Sequence, residues 1–125
     1  MNDFTNPLYG VDVKGGLALM AGNDKIYARL LQTYHTGDLY GKFVEAYNAG
    51  DVEATRVAAH TLKGVAGNLH LNEIYEKIKD VEGTMKESHA MPNDQDMNEL
   101  EQIQNATMHT IKNLIENPEL IAAQK

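Results

Sequence analysis

Along most of the chain apolar residues return every three or four positions, the period of an amphipathic helix, and no short run alternates like a strand. Residues 1–10 have no period, contain Pro7 and Gly10, and are expected to be a tail or linker. Asp12 is placed to cap a short helix ending near Gly22. Asn23 or Asp24 opens the next segment, in which Ile26, Leu30, Tyr34, Phe43 and Tyr47 can share one broad apolar side. Gly37 and Gly41 interrupt that segment, so it is either one kinked helix or two shorter ones. Gly50 and Asp51 form a stop and a restart.

A third segment runs from about Val52 to Asn68, with Ala54, Ala58, Thr61, Leu62, Val65 and Leu69 on its apolar face. A fourth, from about Leu71 to Glu87, repeats through Ile74, Ile78, Val81 and Met85. After a turn at Pro92, with Asp94 or Asp96 as cap, a fifth runs to about Glu116 through Leu100, Ile103, Thr107, Ile111 and Leu114. Pro118 follows its end, and residues 118–125 read as a C-terminal tail. The pattern predicts an all-α domain over residues 11–117. Its short connections imply an antiparallel four-helix bundle with an additional short N-terminal helix.

With 125 residues, 42 % of them hydrophobic, the chain can form one modest core. The net charge of −7 and scattered basic residues argue against nucleic acid as a partner. No run reaches the ~18 apolar residues of a membrane span, and the first residues lack a basic-then-apolar signal pattern, so no membrane insertion is expected. Cysteine is absent, which excludes thiolate chemistry and fits a reducing compartment; a cytoplasmic protein is expected.

The chemistry concentrates at "AAHTLKGVAGNLHL", residues 58–71. On a helical wheel with His60 at zero, Arg56 falls near about −40°, Lys63 near −60°, Gly64 near +40° and Gly67 near −20°. His60 thus centres a basic sector flattened by glycines, opposite the apolar face. Glycine inside a helix costs about 1 kcal/mol relative to alanine, so a plain solvated face has no use for Gly64. Gly67 can instead mark the end of the helix. An exposed histidine is a nucleophile near neutral pH, and a neighbouring cation such as Lys63 can steady a phosphoryl oxygen while charge redistributes. No nucleotide-binding loop is present, so no autokinase activity is expected.

Ala59, His60, Leu62, Lys63 and Gly64 match the A-H-x-L-K-G signature that the chain resembles, that of histidine-containing phosphotransfer (HPt) domains. The run from Val11 to Tyr34 is similar to the lead-in of HPt modules in hybrid sensor kinases. The resemblance implies that His60 accepts a phosphoryl group from a phosphoaspartate on a response-regulator receiver domain and passes it to another receiver. It implies that Lys63 orients the phosphate and that Arg56, Gly64, Gly67 and His70 line the docking face. It implies no cofactor of the chain's own, the Mg²⁺ being supplied by the partner receiver domain, and partners among receivers and a hybrid sensor kinase, in cis or in trans. The carrier would be phosphorylated on Nε2.

His70 stands where the family usually has a glycine; it either starts the next connection facing water, the reading favoured here, or sits at the rim of the docking face, in which case His70→Gly would change transfer rate or partner choice. The competing reading is a docking module of the same bundle form that binds receivers or kinases without being phosphorylated. No metal-ligand spacing joins His35, His89 and His109, so no metal site is expected. Met85, Met97 and Met108 read as core, and Tyr27, Tyr34, Tyr40, Tyr47 and Tyr75 as half-buried rim residues. Asp80, Glu82 and Glu87 read as a solvated acidic face.

Overall fold

The structure, a computed structural model, describes residues 3–125. Its described residues form seven helices and no strand: α1 (Val13–Leu19), α2 (Asp24–Thr36), α3 (Leu39–Asn48), α4 (Val52–Leu69), α5 (Asn72–Ser88), α6 (Asp94–Glu116) and α7 (Glu119–Ala122). The chain is all-α, as the periodicity predicts. The connections 49–51, 70–71 and 89–93 are short, so α3, α4, α5 and α6 follow one another as antiparallel neighbours. The interrupted second segment is two helices. The break lies at Gly37, whose ψ of 159° is extended, and Gly41 sits inside α3. α2 packs on α6 and α3 packs on α4.

The caps follow hydrogen-bond need. The carboxylate or amide oxygens of Asp12, Asn23 and Asp51 accept from the amides of Gly15, Ile26 and Ala54, which have no partner inside their own helices. α6 is capped by Asn93 and not by Asp94 or Asp96; those two acids lie in its first turn, where the helix dipole favours them. Gly50, at φ 74°, supplies the left-handed residue that ends α3.

α5 and α6 bury the residues their period names: Ile74, Ile78, Val81 and Met85, then Leu100, Ile103, Thr107, Ile111 and Leu114. Met97 and Met108 lie half-buried against the same core. α2 departs from expectation by one residue. Tyr27 and Leu31 are fully buried with Tyr34, while Ile26 is 44 % exposed and Leu30 only half-buried. The tyrosines turn inward because each finds a buried acceptor: Tyr27 donates to the Leu69 carbonyl at 2.7 Å and Tyr34 to Gln104 Oε1 at 2.9 Å. Tyr40, Tyr47 and Tyr75 are half-buried, as expected.

α4 is rotated similarly. Its buried stripe is Thr55, Ala59, Leu62, Ala66 and Leu69. Thr61 is exposed and returns its hydroxyl to the Val57 carbonyl, and Ala54, Ala58 and Val65 flank the stripe half-buried. The residue beside His60 that fills the core is therefore Ala59. Small residues at 59 and 66 let the neighbouring helices approach closely.

Both ends are more structured than the sequence suggests. The end of the segment expected as a tail is packed in, with Tyr9 and Gly10 buried; residues 1 and 2 lie outside the described residues. The expected C-terminal tail holds α7, whose Ile121 is fully buried, and Lys125 pairs with Asp24 at 2.7 Å.

Candidate functional site

His60 lies in the middle of α4, with its side chain 64 % exposed. It is not free to turn. Its Nδ1 is 2.9 Å from Glu82 Oε2 on α5. An ionised carboxylate can only accept, so Nδ1 carries the proton and donates to it. In the neutral ring that leaves the Nε2 lone pair unprotonated.

Glu82 is the residue that sequence reasoning missed. Expected on a solvated face, its side chain is 1 % exposed. Its second oxygen takes Lys63 Nζ at 2.7 Å, and Lys86 Nζ stands 3.8 Å from the oxygen that His60 uses. The carboxylate is shielded by these side chains, which themselves reach solvent, and not by depth in the core. Burial pushes the Glu82 carboxyl up; the hydrogen bonds from Lys63 and His60 and the charges of Lys63 and Lys86 outweigh it and hold the group below the usual glutamate range. The signal was in the period. Glu82 stands four residues after Ile78 and between Val81 and Met85, inside the buried stripe of α5, where an acid is retained only with partners.

The remaining expected residues divide. Gly64 is exposed, and a Cβ there would meet nothing within 4 Å, so the surface beside His60 is low and open. Gly67 does not end α4. It is half-buried and faces α5, where a Cβ would stand 3.2 Å from the Tyr75 ring, so this glycine seats a tyrosine. Arg56 is held by Glu53, with Nη2 to Oε1 at 2.6 Å and Nε to Oε2 at 3.2 Å. Lys63 is drawn down onto Glu82, its side chain 25 % exposed.

His70 is elsewhere. It is the C-cap of α4, at φ 58°, about 15 Å along the helix axis from His60 at 1.5 Å per residue. Its ring reaches back to α1, Nδ1 lying 3.3 Å from Asp12 Oδ2, while its carbonyl accepts from the Asp12 amide at 2.9 Å. Gly15 leaves room for this: a Cβ there would run into both the Asp12 carboxylate and the His70 ring. The Gly15 amide, and then the His70 ring, hold the Asp12 carboxyl below the usual aspartate range. Removing the ring releases a left-handed residue from its strain, worth up to about 1 kcal/mol, and loses a partly exposed pair worth about as much. His70→Gly is therefore expected to leave the melting temperature almost unchanged while speeding amide exchange in α1, read by hydrogen–deuterium exchange.

Among the described residues no group of three or more His, Asp or Glu side chains converges as a cation site. No described helix is long and apolar enough to cross a membrane. A groove of about 650 Å³ lies on another flank of α4, between Leu19, Met20, Leu30, Leu39 and Val65, and none of the groups around Glu82 lines it.

What these groups make is an exposed imidazole, oriented from below by a buried carboxylate and flanked by two lysines. The ring is displayed on a surface, its side chain 64 % exposed. The model of the Hpt domain family matches residues 35–117, well over half of the chain, and the chain belongs to that family. Neither the comparison with curated proteins nor that with solved structures found a match. The family serves histidine phosphotransfer in phosphorelays, and its members interact with the receiver domains of two-component systems.

Proposed function

We propose that His60 is the phosphoryl acceptor and donor of this chain, loaded from a receiver-domain phosphoaspartate and discharged to another receiver. The observation that carries the reading is the 2.9 Å contact between His60 Nδ1 and the buried Glu82 carboxylate. It fixes the tautomer and aims Nε2 outward as the nucleophile. In the loading step the Nε2 lone pair forms a bond to phosphorus. The phosphorus–oxygen bond to the receiver aspartate breaks, and the aspartate leaves with that electron pair. The ring becomes a phosphoimidazolium, and Glu82 gains a full positive charge to face. Its contribution is therefore larger after transfer than before, which favours uptake.

The partner brings the Mg²⁺ and most of the catalytic apparatus; this chain brings the nucleophile and its orientation. Gly64 keeps the approach clear, and exposed Val57 and Thr61 extend the face toward the partner. Arg56, paired with Glu53, takes part at the rim of that face. Gly67 serves the surface indirectly, by seating Tyr75, and His70 acts on docking only through α1. A hybrid sensor kinase, in cis or in trans, and a downstream response regulator are the partners of this reading, which places the relay in the cytoplasm. The test is incubation with a phosphorylated receiver domain, followed by intact mass. A gain of one phosphoryl group, lost in acid, is expected. Stable binding with no gain would leave docking without phosphotransfer.

A further inference from the structure

The signature assigns the handling of the phosphate to the lysine three residues after the histidine. The geometry around Glu82 argues for a different division of labour. Lys63 is committed: its ammonium lies 2.7 Å from Glu82 Oε1, and its side chain is only 25 % exposed. Turning outward would strip a buried carboxylate of its shortest ion pair. Lys86 is in the opposite position. One turn along α5 from Glu82, it stands 3.8 Å from Oε2, beyond hydrogen-bond distance, and its side chain is 54 % exposed. That same Oε2 accepts from His60 Nδ1 at 2.9 Å, so the Lys86 ammonium and the imidazole are no farther apart than those two distances laid end to end. Arg56, the other cation nearby, is tied to Glu53 through two nitrogens.

We propose, on the phosphotransfer reading above, that Lys86 is the cation that meets the phosphoryl group on His60, and that Lys63 is a positioning residue that holds Glu82 under the ring. When the phosphorus–nitrogen bond forms at Nε2, negative oxygens appear outside the imidazole. Lys86 exchanges a long contact with Glu82 for a charge-assisted hydrogen bond to one of them. Glu82 loses little, because it keeps Lys63 and now faces an imidazolium. The same exchange by Lys63 would leave Glu82 with the ring alone. Two lysines on one carboxylate thus have separate tasks, decided by which of them is free to leave it.

The experiment compares Lys86→Ala, Lys86→Arg and Lys63→Ala with the unaltered chain, using one receiver domain phosphorylated with acetyl phosphate. Uptake by the unaltered chain is the control, and its absence would overturn the phosphotransfer reading itself. Given uptake, Lys86→Ala is expected to slow it about tenfold or more, with melting temperature and binding of the unphosphorylated receiver unchanged; Lys86→Arg should restore most of the rate. A ³¹P titration adds a readout that a merely structural role would not move. The last protonation of the phosphoryl group on His60 should shift to higher pH in Lys86→Ala and hold its position in Lys63→Ala. Uptake by Lys86→Ala within twofold of the control, or a ³¹P shift confined to Lys63→Ala, would overturn the assignment and return the phosphate to Lys63.

Discussion

His60→Gln abolishes phosphoryl uptake and leaves the fold intact. The amide cannot form the acid-labile bond to phosphorus, so the expected effect is complete loss of label. The fold is spared because the His60 side chain is 64 % exposed and contributes little packing. Glutamine also keeps a donor for the Glu82 carboxylate, so no buried acceptor is orphaned, and a stability change within about 0.5 kcal/mol is expected, as for ordinary surface substitutions. Intact mass after exposure to a phosphorylated receiver, with circular dichroism melting alongside, checks both halves. Retained label would place the acceptor on another side chain.

Glu82→Ala has the second largest effect and acts on rate and stability together. A hydrogen bond to a charged group is worth about 1.5–3 kcal/mol; losing it frees the ring and removes the strengthening it gains as positive charge develops in the transition state, which corresponds to roughly tenfold to hundredfold in rate at most. The variant should take up phosphoryl groups at least about tenfold more slowly, in a stopped-flow or quench assay. Glu82→Gln should be milder, because its carbonyl still accepts from Nδ1 and keeps the tautomer; what it loses is the charge that pairs with Lys63. An order with the glutamine variant slower than the alanine variant would contradict the orienting role.

Glu82 also sets a pH dependence of stability. Its folded-state carboxyl lies below the usual glutamate range, so the stabilisation is fully present above the pKa of the unfolded chain. It is lost as the pH falls through the lower folded value. The melting temperature of the unaltered chain should therefore fall more steeply on acidification than that of Glu82→Gln, and the two curves should converge at low pH. Parallel curves would mean that the carboxylate is not held by its partners.

The fold was legible where a single period ran uninterrupted. α5 and α6 bury the residues their spacing names, because each is an amphipathic helix with one clear stripe. The buried stripes of α2 and α4 are rotated slightly from those the pattern predicts, for a definite reason: tyrosine and alanine are ambiguous in a hydrophobic pattern. Tyr27 and Tyr34 can be buried because Leu69 and Gln104 accept from their hydroxyls, and those partners are 42 and 70 residues away in sequence. Ala59 is core because helices pack closely over it, and nothing in its own side chain announces that.

The site was legible as a surface and not as a network. The sector of His60, Lys63 and Gly64 on one helix could be drawn from spacing alone. Glu82 comes from the next helix, 22 residues on, and only packing of α4 on α5 brings it beneath the ring. Its place in the buried stripe was the available clue; reading acids as solvated hid it. His70 is the reverse case. It lies close to the motif in sequence, but two to three turns of α4 and a left-handed cap direct its ring toward Asp12.

The most direct measurement of the central claim is transfer from a phosphorylated receiver to the chain, followed by NMR of the phosphorylated protein to identify the modified nitrogen. The account predicts one acid-labile phosphoryl group, on His60, bonded to Nε2, with Nδ1 still protonated and facing Glu82. A phosphoryl group on Nδ1, or binding of the receiver with no transfer at all, would contradict it.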